Sequence, residues 1–186
     1  FLFDHGFQDM VFLNTEQEKI ALAWLALTPN GPQFYIIPAA YIFLLFYACR
    51  ITVQNRDIFF MFLGFSFGVL LLFIIPMPGW YFWVIPFLAY FFAKASLGQS
   101  FLFGALQVSY LVYFAFTLKS DFFQVFQFIL PDIASCPNLF EFLNANGYNA
   151  GVFTNATFTV MQTLLVANCA WIYRGAIKGL QHNKLS

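Results

Sequence analysis

Charge is what this sequence has least of: Asp, Glu, Lys and Arg make up 9% of its 186 residues, and the formal net charge is zero. A soluble domain carries about 25% charged residues, so this composition cannot cover a water-facing surface. A neutral chain with eight Lys and Arg offers no basic face, which argues against nucleic acid as a partner. Three cysteines, Cys49, Cys136 and Cys169, have no C-x-x-C spacing, and two of them lie in hydrophobic runs. They point to neither a zinc site nor a disulfide framework. The sequence has no Gly-rich phosphate loop, no His-x-x-x-His and no Gly-x-Ser-x-Gly, so no cofactor and no metal is evident. Its two histidines, His5 and His182, lie near opposite ends. No basic n-region and cleavage site open the chain at Phe1, so it does not begin with an intact signal peptide.

What remains is apolar. Sixty-one per cent of residues are hydrophobic and 29 are phenylalanine, which lipid-facing positions explain more simply than an aromatic binding site does. The chain is organised around Asp57 to Lys94, whose interior holds no ionisable group except tyrosine. Ile58 to Ile75 would form a helix of about 27 Å, enough to cross a bilayer core. Pro76-Met77-Pro78-Gly79 cannot continue that helix, and a second apolar run follows at once. The expectation is a helical hairpin that crosses, turns and returns.

Five crossings are predicted in an all-α integral membrane protein: 34–53, 58–75, 80–93, 101–118 and 152–173. Pro86 within the short third span predicts a kink or a strong tilt, and Trp80, Tyr81 and Trp83 suit an interfacial belt. Residues 1–33 form an external segment, too polar at Asp4, His5, Gln8 and Asp9 to span. Thr15-Glu16-Gln17-Glu18 fits a capping box, which predicts an interfacial helix through Leu27, ended by Thr28-Pro29-Asn30-Gly31-Pro32. The loop 119–151 carries a second interfacial segment at 121–130, and 174–186 is a polar tail.

Sidedness follows from the cations. Arg50, Arg56, Lys94, Arg174, Lys178 and Lys184 fall on one side of a five-crossing chain, and only Lys19 and Lys119 on the other. Seven acidic residues share that second side: Asp4, Asp9, Glu16, Glu18, Asp121, Asp132 and Glu141. The positive-inside rule then makes the C-terminus cytoplasmic, in a plasma or inner membrane. The sequon at Asn155-Ala-Thr157 lies too close to the membrane to be used readily.

Candidate functional residues are few. No charge sits at the middle of a span, which counts against a pump or an ion-coupled transporter. Asp4, His5 and Asp9 are candidates for an external acid/base or metal cluster, against the plainer alternative of solvated surface residues. Gly64-x-x-x-Gly68 lets another helix approach closely. Gly104 and Gln107, with Ser100 and Leu111, form a small-and-polar stripe suited to packing on a neighbour. Asn155, Thr159 and Gln162 share one face of the last span, where hydrogen bonds within the bundle are expected.

The run Phe73-Ile-Ile-Pro-Met-Pro-Gly-Trp-Tyr-Phe-Trp-Val-Ile-Pro-Phe-Leu88 resembles the late membrane helices of GT-C-type polytopic glycosyltransferases. There an apolar helix ends in a Pro- and aromatic-containing turn, and the next begins with Trp/Tyr-x-x-x-x-Pro, matched here by Tyr81 to Pro86. The resemblance implies a polyprenyl-phosphate-linked sugar as donor, chemistry at the outer membrane face, and a role in envelope polysaccharide or glycolipid synthesis. The family's catalytic acidic residue lies in the first external loop, and no matching segment exists in this sequence. The resemblance therefore implies the C-terminal membrane portion of a larger transferase, and it carries over no catalytic residue. Two other readings stand beside it. One is a non-enzymatic subunit packed on a partner membrane protein, and the other is a homo-oligomeric pore or transporter with Gln107 or Asn155 facing its axis.

Overall fold

The computed structural model describes residues 23–26, 28–29, 31–52, 55–75, 79–117, 129 and 139–183. These residues are mostly helical and divide between two compact units, Phe1–Ile75 and Pro76–Ser186.

The first unit opens on a feature the sequence reading did not anticipate. Strand β1 (Trp24–Ala26) pairs antiparallel with β2 (Gln33–Tyr35), with Leu25 opposite Phe34. The expected interfacial helix through Leu27 is thus corrected at residues 24–26; its capping box at Thr15–Glu18 lies outside the described residues. The physical reason lies in the turn. Pro29 presets φ and Gly31 relaxes the backbone, so the chain reverses, and the Gly31 N–H closes on the Thr28 carbonyl at 3.1 Å. A side chain at Gly31 would run into Thr28 Oγ1.

Helix α1 (Ile36–Arg50) follows directly. It is 15 residues long, about 22 Å, which is short for a crossing. Asn55 caps α2 (Arg56–Phe73), its Oδ1 accepting from the Ile58 N–H at 2.8 Å, while Asp57 places negative charge in the first turn. The two helices pack antiparallel. Tyr41 donates to the Ser66 carbonyl at 2.7 Å, and the Tyr47 and Phe62 rings lie 5.9 Å apart. Ile58, Met61, Gly64, Gly68 and Leu71 form the buried stripe of α2.

In the second unit the returning arm is not one helix. Trp80–Trp83 form a 3-10 turn, and α3 (Ile85–Phe92) is only eight residues long. The expected kink at Pro86 becomes a helix start: at the head of α3 the missing amide costs nothing, because no earlier carbonyl awaits it. Helix α4 (Leu97–Ala115) begins where Gln99 Oε1 accepts from the Ser96 N–H at 3.2 Å. A short helix, α5 (Leu139–Ala145), ends at Gly147, whose φ of 79° permits the Tyr148 N–H to reach the Leu143 carbonyl at 3.0 Å. Then comes α6 (Ala150–Asn183), with Asn144 Oδ1 accepting from the Ala150 N–H at 3.3 Å. Helices α4 and α6 run antiparallel along their length, as the pairs Phe103–Phe92–Trp171, Leu102–Asn168, Tyr113–Phe158 and Phe116–Thr154 show.

Among the described residues three helices are long and apolar enough to cross a membrane: α2, α4 and α6 over Ala150–Ile177. That is fewer than the five expected. The difference lies in α1, a few residues short, and in the divided arm at 80–93.

Candidate functional site

Within the second unit, three elements meet around a set of uncharged polar groups. Tyr81, buried in the 3-10 turn, lies against α4: its ring stacks on Tyr110 with centroids 3.9 Å apart and planes at 22°. Gln107, one turn earlier on α4, donates from Nε2 to the Tyr81 hydroxyl at 2.8 Å. Gln107 stands about 15 Å along a helix of about 28 Å, near its midpoint. Where α4 crosses a bilayer no water would compete there, so an unpaired amide would be costly and a paired one would hold its neighbour in place.

One end of the arm is held by rings. Phe92 stacks between Phe103 of α4, at 5.3 Å, and Trp171 of α6, at 4.4 Å. At the other end Trp80 and Trp83 stack on each other at 5.7 Å. Offset stacking of this kind adds about 0.5–1.5 kcal/mol per pair beyond the area it buries.

Asn168 is the fully buried polar side chain of α6. Its Nδ2 donates to the Leu164 carbonyl of its own helix at 2.7 Å and to the Leu102 carbonyl of α4 at 3.2 Å. Its Oδ1 is buried and accepts no hydrogen bond among the described residues. Higher on the same helix, Thr154 donates to the Phe116 carbonyl at 2.7 Å. Other hydroxyls bond within their own helix: Ser66 to Phe62, Ser109 to Leu106, Thr159 to Asn155 and Thr163 to Thr159. This is how a helix carries hydroxyls through an apolar medium.

The residues singled out from sequence are distributed as follows. Gly64 and Gly68 are buried on one face of α2. Gly104 is exposed, and nothing lies within 4 Å of where its Cβ would stand. Of the stripe it was placed in, Gln107 turns to Tyr81, while Leu111 is 70% exposed. Asn155 is exposed and Gln162 is half-buried, both on α6. Asp4, His5 and Asp9 lie outside the described residues, and among the described residues no three His, Cys, Asp or Glu side chains gather into a metal-sized group. Sequence reasoning missed Tyr81 as an inward-facing residue, and it missed Thr154 and Asn168. Asn168 did carry a signal, since an asparagine inside Leu164-Leu165-Val166-Ala167 and the run beyond must find a partner.

The described groups that join these elements are amides, phenols and the Thr154 hydroxyl. They position helices and can orient a polar group of a bound molecule. No family model, curated protein or solved structure matches the chain.

Proposed function

We propose that this chain is the membrane portion of a GT-C-like glycosyltransferase. It would serve envelope polysaccharide or glycolipid synthesis with a polyprenyl-phosphate-linked sugar as donor. One observation carries the reading: the Tyr81-to-Pro86 pattern is a real structural unit, an aromatic 3-10 turn that leads into a helix whose second residue is Pro86. Tyr81 is locked to the middle of α4 through Gln107, which holds that turn rigid. In this proposal α1 and the arm at 80–93 also cross, making five spans, and the C-terminus is cytoplasmic. The resemblance assigns the family's acidic chemistry to no residue of this chain; Asp4, His5 and Asp9 stay candidates for a separate external acid/base or metal cluster.

A diazirine-bearing polyprenyl phosphate tests the reading. Photolabelling that excess polyprenyl phosphate suppresses, and that the uncharged polyprenol does not, is the expected result. Labelling that both suppress equally, or that neither suppresses, would remove the transferase reading. A second reading, a non-enzymatic subunit packed on a partner membrane protein, is favoured by the hydrogen bonds of Tyr81, Thr154 and Asn168, each of which ties one element of the chain to another. It predicts a stable complex with a second membrane protein after mild solubilisation.

A further inference from the structure

The turn between α1 and α2 combines three features. First, a recess of about 400 Å³ opens there, lined by Ala48, Ile51, Asn55, Ile58, Phe59 and Phe62. That is within the range of small-ligand sites, and five of its six lining residues are apolar. Second, the two residues that bracket the turn are Arg50, the last of α1, and Arg56, the first of α2, both exposed. No hydrogen bond or ion pair engages either guanidinium among the described residues. Lys94 differs, since it donates to Tyr90 Oη at 2.9 Å and lies over that ring. Third, Asn55 faces the recess with a divided amide. Its Oδ1 is occupied by the Ile58 N–H, which fixes the orientation, and its Nδ2 has no partner among the described residues.

Two exposed guanidinium forks and an amide donor ask for oxygens that carry negative charge. The wall beside them asks for hydrocarbon. Asp57, half-buried in the first turn of α2, sits at the positive end of that helix and has interactions of its own. One molecule meets both demands at the edge of a bilayer. We infer that the base of the α1–α2 hairpin binds an anionic phospholipid, with its phosphate on Arg50, Arg56 and the Asn55 amide and an acyl chain in the recess. A zwitterionic lipid brings its own cation to the arginines. A free phosphate leaves the wall uncovered.

The test is lipid titration of the whole chain in detergent, followed by native mass spectrometry. Phosphatidylglycerol and phosphatidylcholine with identical acyl chains are the probes. Two cations at a membrane surface predict a preference for phosphatidylglycerol of about 30-fold in apparent affinity. R50Q/R56Q should abolish that preference while leaving phosphatidylcholine binding unchanged. Asn55→Asp keeps the helix cap, because Asp caps as well as Asn, but sets a carboxylate against the phosphate. It should weaken phosphatidylglycerol at least as much with helix content retained. Equal binding of the two lipids to the unaltered chain would overturn the inference, as would a preference that survives R50Q/R56Q. Displacement of the lipid by millimolar inorganic phosphate would assign the site to free phosphate and overturn it also.

Discussion

Asn168 carries a buried amide oxygen with nothing to accept, beside an amide nitrogen with two acceptors. The two halves of this side chain make opposite predictions. Asn168→Leu removes the orphaned oxygen together with the donors, and the carbonyls of Leu102 and Leu164 keep the bonds their helices already give them. Its expected effect is within about 1 kcal/mol of neutral, because no polar group is left without a partner: the two carbonyls stay bonded in their helices and the orphaned oxygen goes with the donors. Asn168→Asp keeps the shape, replaces the donor by a second acceptor and sets it against two carbonyls. That substitution should cost about 2–3 kcal/mol or force a proton onto the new carboxyl. Unfolding of the purified protein in mixed micelles, followed by loss of helix signal, measures both. At this scale the sequence was legible as to kind and not as to partner. Gln107 was visible as a polar residue in a span, but its bond to Tyr81 depends on where a 3-10 turn lands, and no helical periodicity encodes that.

Among the elements, the returning arm was the hardest to read. Its residues are apolar throughout, so a single short span over 80–93, kinked or strongly tilted by Pro86, was the expectation. Backbone chemistry decided otherwise: Pro86 cannot donate, so a helix coming from Trp80 would lose a bond, whereas one starting at Ile85 loses none. Pro86→Ala should therefore change stability by no more than about 0.5 kcal/mol, far below the roughly 3 kcal/mol of an interior proline. Thermal unfolding of the single variant checks this, and a large gain would mean that Pro86 interrupts a helix after all. The β1–β2 hairpin was missed for a related reason. Strands of three residues are too short to show a period of two, and the stretch after Leu27 read as a helix stop, whereas Trp24–Ala26 and Gln33–Tyr35 on either side of it pair as a hairpin. The long apolar helices were plain in the sequence, because 18 or 19 residues with almost no charge leave few alternatives.

At the scale of the whole molecule, crossing number is decided by whether the chain from Gly79 to Phe92 traverses the bilayer. In the proposed five-crossing arrangement, cysteines placed at Arg50, Lys94 and Arg174 lie on one side and a cysteine at Gly79 lies on the other. In a background with Cys49, Cys136 and Cys169 replaced by alanine, an impermeant maleimide should label the first three only after the membrane is opened. It should label the last in intact cells. If the arm does not cross, the cysteine at Lys94 changes sides relative to the one at Arg50, and the pattern splits.

The arm has one more consequence. A 3-10 turn of four residues followed by an eight-residue helix rises only about 20 Å, against about 28 Å for its neighbour α4. If the arm crosses as proposed, an apolar core about 30 Å thick overhangs it at one end or both. Lipid tails beside Trp80 and Trp83 must then compress or splay, and head groups must sink toward the stacked indoles. The protein would carry a dimple in the bilayer, tied to one flank, where a polar head group has less hydrocarbon to pass through than anywhere else on the molecule. Reconstituted into phosphatidylcholines of increasing chain length, it should be most resistant to unfolding in the thinnest sheet that still covers α4, and a flat dependence would mean that no dimple forms.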